Sequence, residues 1–209
     1  MTEIHPLLTV AALNLAAAVS PGPAFVLITQ TAASSRRRVA WAAAAGTVAA
    51  SLTWAAAALL GWQLVLARVA SIYRLLEIGG GLYLCLIGWS TWHHAADPLP
   101  VPAAGGGGSP TVGFRKGLLL GLSNPKVIVF FGTIFTTVFA PATPVRVRWA
   151  ALLVVFVNET LWYGSIATLF GTSAIQRTYM KLKVHAERFF GGLLCAFGVR
   201  LVWSGGRAR

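Results

Sequence analysis

Ala17-Ala18-Val19-Ser20-Pro21-Gly22-Pro23-Ala24 (residues 17–24) and Gly121-Leu122-Ser123-Asn124-Pro125-Lys126-Val127 (residues 121–127) each interrupt a long apolar run. A proline inside a helix has no N–H to donate and its ring crowds the preceding turn. Pro21 and Pro23 therefore release the carbonyls of Ala17 and Val19, and Pro125 releases that of Gly121. In hydrocarbon a released carbonyl finds no water, so such backbone is tolerated only where it is buried in protein or lines a wet cavity. Two matched interruptions, one in each half of a chain, are how a transporter's midplane site of broken helices is written in sequence.

Composition points to lipid as the surrounding medium. The chain has 209 residues, of which 11% are charged, and its mean hydropathy is +0.71. Residues 6–35 hold no Asp, Glu, Lys or Arg, a run longer than the roughly 20 residues that span a bilayer. The start of the chain carries Glu3 and no basic residue, so the first apolar run is expected as a retained helix rather than a cleaved leader. A net charge of +12 would suggest nucleic acid in a water-soluble protein. Here the basic residues, among them Arg36, Arg37, Arg38, Lys181, Lys183 and Arg188, fall between the apolar runs, which fits headgroup anchoring and topology control. No nucleic-acid partner is expected. Cys85 and Cys195 lie inside apolar runs and read as small buried hydrophobes without metal spacing.

Hydropathy predicts an all-α integral membrane protein with six spans, at about 7–31, 40–67, 71–93, 114–139, 148–171 and 187–206. Residues 95–113, with four prolines and the run Gly105–Gly108, read as a flexible linker between a first three-helix unit at 1–94 and a second at 114–209. The two units repeat one another. Trp41 and Trp54 recur as Trp149 and Trp162, displaced by 108, and Glu77, Gly81, Cys85 and Gly88 recur as Glu187, Gly191, Cys195 and Gly198, displaced by 110. An odd number of helices per unit turns the second upside down, giving a 3+3 inverted-topology repeat. With both termini outside, the cytoplasmic side carries more of the basic residues than the outer side, so N-out and C-out is the expected orientation.

The interruptions define the candidate substrate site: Ser20, Pro21, Gly22, Pro23 and Ala24 in the first unit, Asn124, Pro125 and Lys126 in the second. A half-helix resuming near Ala24 presents N–H groups to a carboxylate, while freed carbonyls suit an ammonium group. A zwitterionic amino acid offers both ends. Lys126 precedes a dozen uncharged residues, and a central lysine is costly unless it faces the interior and is paired or functional. Glu159, deep in the fifth span beside Asn158, is the candidate proton-coupling or ammonium-binding group, with Lys126 as a possible partner. Glu77 is a second proton-coupling candidate, although it and Glu187 are also explained as first-turn acids complementing the helix dipole. No Ser-His-Asp set or His-x-x-x-His pair lies within the spans, so neither an enzyme, a resident metal nor a cofactor is expected. A metal-cation exporter on the same scaffold and a non-transporting accessory protein stand as alternatives.

Ser20-Pro21-Gly22-Pro23, Arg36–Arg38 followed by Gly46, Gly81-x-Tyr83-Leu84-xxx-Gly88-Trp89 and Gly117-xxxxx-Ser123-Asn124-Pro125-Lys126 together resemble the LysE/RhtB family of amino-acid exporters. The resemblance covers nearly the whole chain. It implies proton-driven export of amino acids or close analogues across the bacterial inner membrane by a six-helix protein that can form a homodimer. Where members of that family commonly carry Asp in the second helix, this chain aligns Ser51, and Glu77 stands where a basic residue is frequent. The missing acid implies a neutral substrate of the threonine, homoserine or branched-chain kind, with Ser51 lining the site.

Overall fold

The computed structural model describes residues 4–20, 22–34, 37–66, 70–97, 108–139, 143–170 and 173–206. Among them the chain forms eight α-helices: α1 (Ile4–Val19), α2 (Pro23–Ser34), α3 (Arg37–Leu66), α4 (Ala70–His93), α5 (Pro110–Leu122), α6 (Pro125–Val138), α7 (Val145–Leu169) and α8 (Ser173–Gly206). A 3-10 turn, His94–Ala96, closes α4.

The prolines break the chain where the released carbonyls require it. α1 and α2 meet at 58°, and α5 and α6 at 59°. At the second break Asn124 caps α6, its Oδ1 accepting the Lys126 N–H at 3.0 Å, with Pro125 in the first helical position. This is the residue order that favours a helix start, since proline has no N–H to leave unpaired there. Ser109 caps α5 in the same way, accepting from the Val112 N–H. Residues 110–113 are therefore helix rather than the linker expected over 95–113, and 94–96 belongs to the 3-10 turn; residues 98–107 lie outside the described residues.

Among the described residues, α3 over Arg37–Leu60 and α7 are each long and apolar enough to cross a bilayer, and four crossings result if each bent pair counts as one. The sixth expected span also differs: α8 begins at Ser173, well before 187. Large apolar side chains, including Leu60, Leu86, Leu161 and Phe189, each more than 60% exposed, face outward from α3, α4, α7 and α8, as a lipid-facing surface requires.

Helix packing relies on small residues. A Cβ on Gly81 would lie 2.8 Å from the Gly198 carbonyl oxygen, and one on Gly198 2.5 Å from that of Gly81; Gly88 and Gly191 stand in the same relation at 2.5 and 2.7 Å. Between these pairs, the Cys85 thiol reaches the Cys195 carbonyl at 3.6 Å and the Cys195 thiol reaches the Cys85 carbonyl at 3.4 Å. α4 and α8 thus lie antiparallel with their backbones nearly touching, a contact only glycine permits. On the other side of the molecule α3 and α5 run parallel, with Gly117 seated on the Ala43 carbonyl. Two apolar clusters result, one around Phe131, Ile134, Phe135 and Leu194 and one around Phe25, Ile28, Ile166 and Phe170.

Candidate substrate site

A cavity of about 40 Å³ lies where the two clusters meet, with Ser20, Gly22 and Ala24 from the first break and Asn124 and Lys126 from the second on its walls. Ser51 and Glu159 line it as well. Pro23 and Pro125 shape the two breaks but do not line the cavity; Pro21 lies outside the described residues. A space this small holds a few waters, so an amino acid enters only if the surrounding helices part.

Lys126 crosses from one break to the other. Its ammonium donates to the Ala17 carbonyl at 3.0 Å and to the Ser20 carbonyl at 3.5 Å. The carbonyl that Pro21 releases is thus satisfied by a lysine 109 residues away. Two expectations change here. Lys126 does not pair with Glu159: no ion pair joins them among the described residues, because the lysine is spent on the backbone of the first break. The Gly121 carbonyl is not free either, since the Asn124 N–H donates to it at 3.3 Å. The neighbouring Leu122 carbonyl accepts from the Trp54 indole N–H at 3.2 Å, so the second break is held by its own Asn124 cap and by α3.

Ser20 is anchored to α4. Its hydroxyl lies 2.6 Å from that of Thr91, and Thr91 donates to the Ile87 carbonyl at 2.8 Å. The Thr91 proton being used there, Ser20 donates to Thr91.

Glu159, 4% exposed, is met by the side-chain amide of Asn14, which donates to its Oε1 at 3.0 Å. The Ser51 hydroxyl sits beside the same carboxylate. Asn158 fastens α7 to α1 by donating to the Ala11 carbonyl at 2.9 Å. Glu159 Oε2 and Asn14 Oδ1 are buried with no hydrogen-bond partner. Asn14, Thr47 and the aromatic walls Phe130 and Phe131 were not among the candidates read from sequence. Asn14 is one of two amides, with Gln30, in the charge-free run 6–35, and a polar side chain at membrane depth is a functional signal in its own right.

Glu77 lies on α4 with its side chain outside the described residues. Its counterpart Glu187 is not a first-turn acid: it is fully buried in the middle of α8 and pairs with Lys183 at 3.2 Å. Lys183 is equally buried, not a headgroup anchor, and donates to the carbonyls of Ala95, Asp97 and His94 at 2.9, 3.0 and 3.4 Å. It closes the end of α4 against α8. No group of three or more His, Cys, Asp or Glu able to hold a metal lies among the described residues.

Comparison with known proteins places these features in a family context. The LysE type translocator family matches residues 15–205. The chain is similar to the threonine efflux protein of Escherichia coli K12, 35% identical over 94% of this chain and 97% of that protein. It is likewise similar to the threonine efflux protein of Salmonella typhi, 32% identical over the same shares, and to the uncharacterised membrane protein YahN of Escherichia coli K12, 25% identical over 98% of this chain and 92% of that protein. No solved structure matches.

Proposed function

The chain belongs to the LysE type translocator family, and from that footing we propose that it exports a small neutral amino acid of the threonine kind in exchange for protons. The observation that carries this reading is the meeting of both helix breaks in one cavity, with an ammonium from one half seated on a carbonyl of the other. The substrate carboxylate goes to Lys126 and the N-terminal end of α2, and the substrate ammonium goes to Glu159. Proton and ammonium then compete for one carboxylate, so loading one requires release of the other, and export is coupled to proton entry.

The transporting unit is a 3+3 inverted repeat, residues 1–94 against 114–209, rocking about the cavity in the bacterial inner membrane with both termini outside, as a homodimer. The reciprocal glycine contacts favour this arrangement. Gly81 meets Gly198 and Gly88 meets Gly191, and a shift of 110 residues, which turns Gly81 into Gly191 and Gly88 into Gly198, exchanges the two pairs. That is the behaviour of a two-fold axis passing between Cys85 and Cys195. Neutral selectivity follows from Ser51, an uncharged hydroxyl lining the cavity wall beside Glu159.

Cells preloaded with mixed dipeptides and expressing the protein test this reading through the free amino acids that appear outside. Threonine or a similar neutral amino acid should rise, and a protonophore should stop the rise. Lys126→Ala and Pro125→Ala should abolish export at unchanged membrane levels. Preferential export of arginine would refute the neutral substrate, and normal export by both variants would move the site elsewhere.

A further inference from the structure

Two polar atoms on the cavity wall have no partner. Asn14 is 1% exposed and Glu159 4% exposed, and both line the cavity. Their mutual hydrogen bond uses one atom of each, Asn14 Nδ2 as donor and Glu159 Oε1 as acceptor. Asn14 Oδ1 and Glu159 Oε2 remain, both acceptors, both buried, both unbonded. Buried acceptors without donors are unfavourable and uncommon in folded proteins. A donor-rich ligand would satisfy them together.

We propose that Asn14 is a specificity-determining residue that, with Glu159, forms a two-acceptor seat for the primary ammonium group of the exported substrate. The inference rests on the exporter reading above and deepens it by assigning one end of the substrate. A primary ammonium carries three N–H donors; two reach Oδ1 and Oε2, and the third faces Ser51. A hydroxyl in the same place has a single proton and leaves one acceptor unsatisfied. The Nδ2 bond occupies Oε1 and leaves Oε2 as the unbonded oxygen, so Asn14 both supplies an acceptor and orients the other. The site should therefore discriminate amino acids from their α-hydroxy analogues, and that discrimination should depend on Asn14.

The test is exchange of radiolabelled threonine in proteoliposomes holding the purified full chain, with 2,3-dihydroxybutyrate, which has a hydroxyl in place of the ammonium, as competitor. Asn14→Leu should raise the half-saturating threonine concentration tenfold or more while leaving inhibition by the hydroxy acid unchanged. Asn14→Gln, which keeps both an amide donor for Glu159 and an acceptor oxygen, should retain most of the preference for threonine and serves where Asn14→Leu fails to assemble. Equal loss for threonine and hydroxy acid would reduce Asn14 to a packing role and overturn the proposal. An unchanged threonine constant in Asn14→Leu would overturn it too, and would mean that the acceptors hold only water. Wild-type protein that exchanges no amino acid would sink the exporter reading itself, a result distinct from either.

Discussion

Replacing Lys183 by Met should destabilise the protein far more than replacing its partner Glu187 by Gln. The pair is buried on both sides, at 3% and 0% exposure for the whole residues, but its members are not equivalently supported. Lys183 has three backbone carbonyls besides Glu187. The Glu187 carboxylate has Lys183 at 3.2 Å as its ion-pair partner and no hydrogen bond to either oxygen. Glu187→Gln leaves an ammonium that is still solvated by the end of α4, and costs roughly the 1.5–3 kcal/mol of one bond to a charged group. Lys183→Met leaves a carboxylate alone in the protein, and removal of one member of a buried pair costs about 3–5 kcal/mol. It also uncaps the carbonyls of Ala95 and Asp97, which places it at or above the top of that range. At roughly 2–4 °C per kcal/mol for a chain of this length, the Lys183→Met loss is on the order of 10–20 °C. Thermal unfolding of the purified protein in one detergent, followed by loss of its monodisperse peak, measures both variants side by side. The double variant Lys183→Met with Glu187→Leu should recover part of the loss, since an apolar replacement removes the stranded charge. Equal losses for the two single variants, or a double variant no better than Lys183→Met, would refute the assignment of Lys183 as the main support of Glu187.

Two further substitutions probe how the breaks are held. Gly117→Leu places a side chain where the Ala43 carbonyl already sits, so α3 and α5 must separate; the variant should fail to accumulate in the membrane, whereas Gly132→Ala, whose Cβ meets nothing within 4 Å, should accumulate normally. Trp54→Phe keeps an aromatic ring but removes the indole N–H that the Leu122 carbonyl accepts; it should lower stability by at least about 1–3 kcal/mol, the cost of a buried acceptor left unpaired, as thermal unfolding in detergent measures.

Proline is a hard covalent constraint, which is why both breaks were legible in the sequence within a residue or two. Small residues at a backbone contact are nearly as restrictive, but Gly81, Gly88, Gly191 and Gly198 read in the sequence only as a repeat, and the fold is what pairs them across the α4 and α8 seam. Lys183 was misread because charge counting along a chain treats every lysine between apolar runs as wet. Only the fold brings the end of α4 over it. The early start of α8 escaped hydropathy for a related reason: residues 173–186 are too polar to register as a span and still continue the helix to which the end of α4 is bonded through Lys183. The start of α5 at Pro110 was within reach, since Ser109-Pro110 is a cap followed by a first-turn proline, but a hydropathy edge near 114 overrode it. The destination of the Lys126 ammonium was not legible at all, because an acceptor 109 residues distant leaves no local pattern.

The two breaks share a bend angle yet contribute opposite chemistry, and this bears on how a cycle could run. The first break supplies acceptors, the carbonyls of Ala17 and Ser20; the second supplies the cation that fills them. Lys126 is therefore a strut between the halves as well as the proposed carboxylate partner, and one ammonium has three protons to share among these tasks. A carboxylate that draws Lys126 toward itself weakens the tie to Ala17 and returns that carbonyl to an unsatisfied state, which is unfavourable in a dry site. Substrate binding on the proposed reading thus loosens the first break at the moment the cavity must enlarge beyond its present 40 Å³. Trp54 and Asn124 hold the second break by groups that the substrate does not contest. Motion should accordingly concentrate in the angle between α1 and α2, with the α5–α6 corner as its pivot.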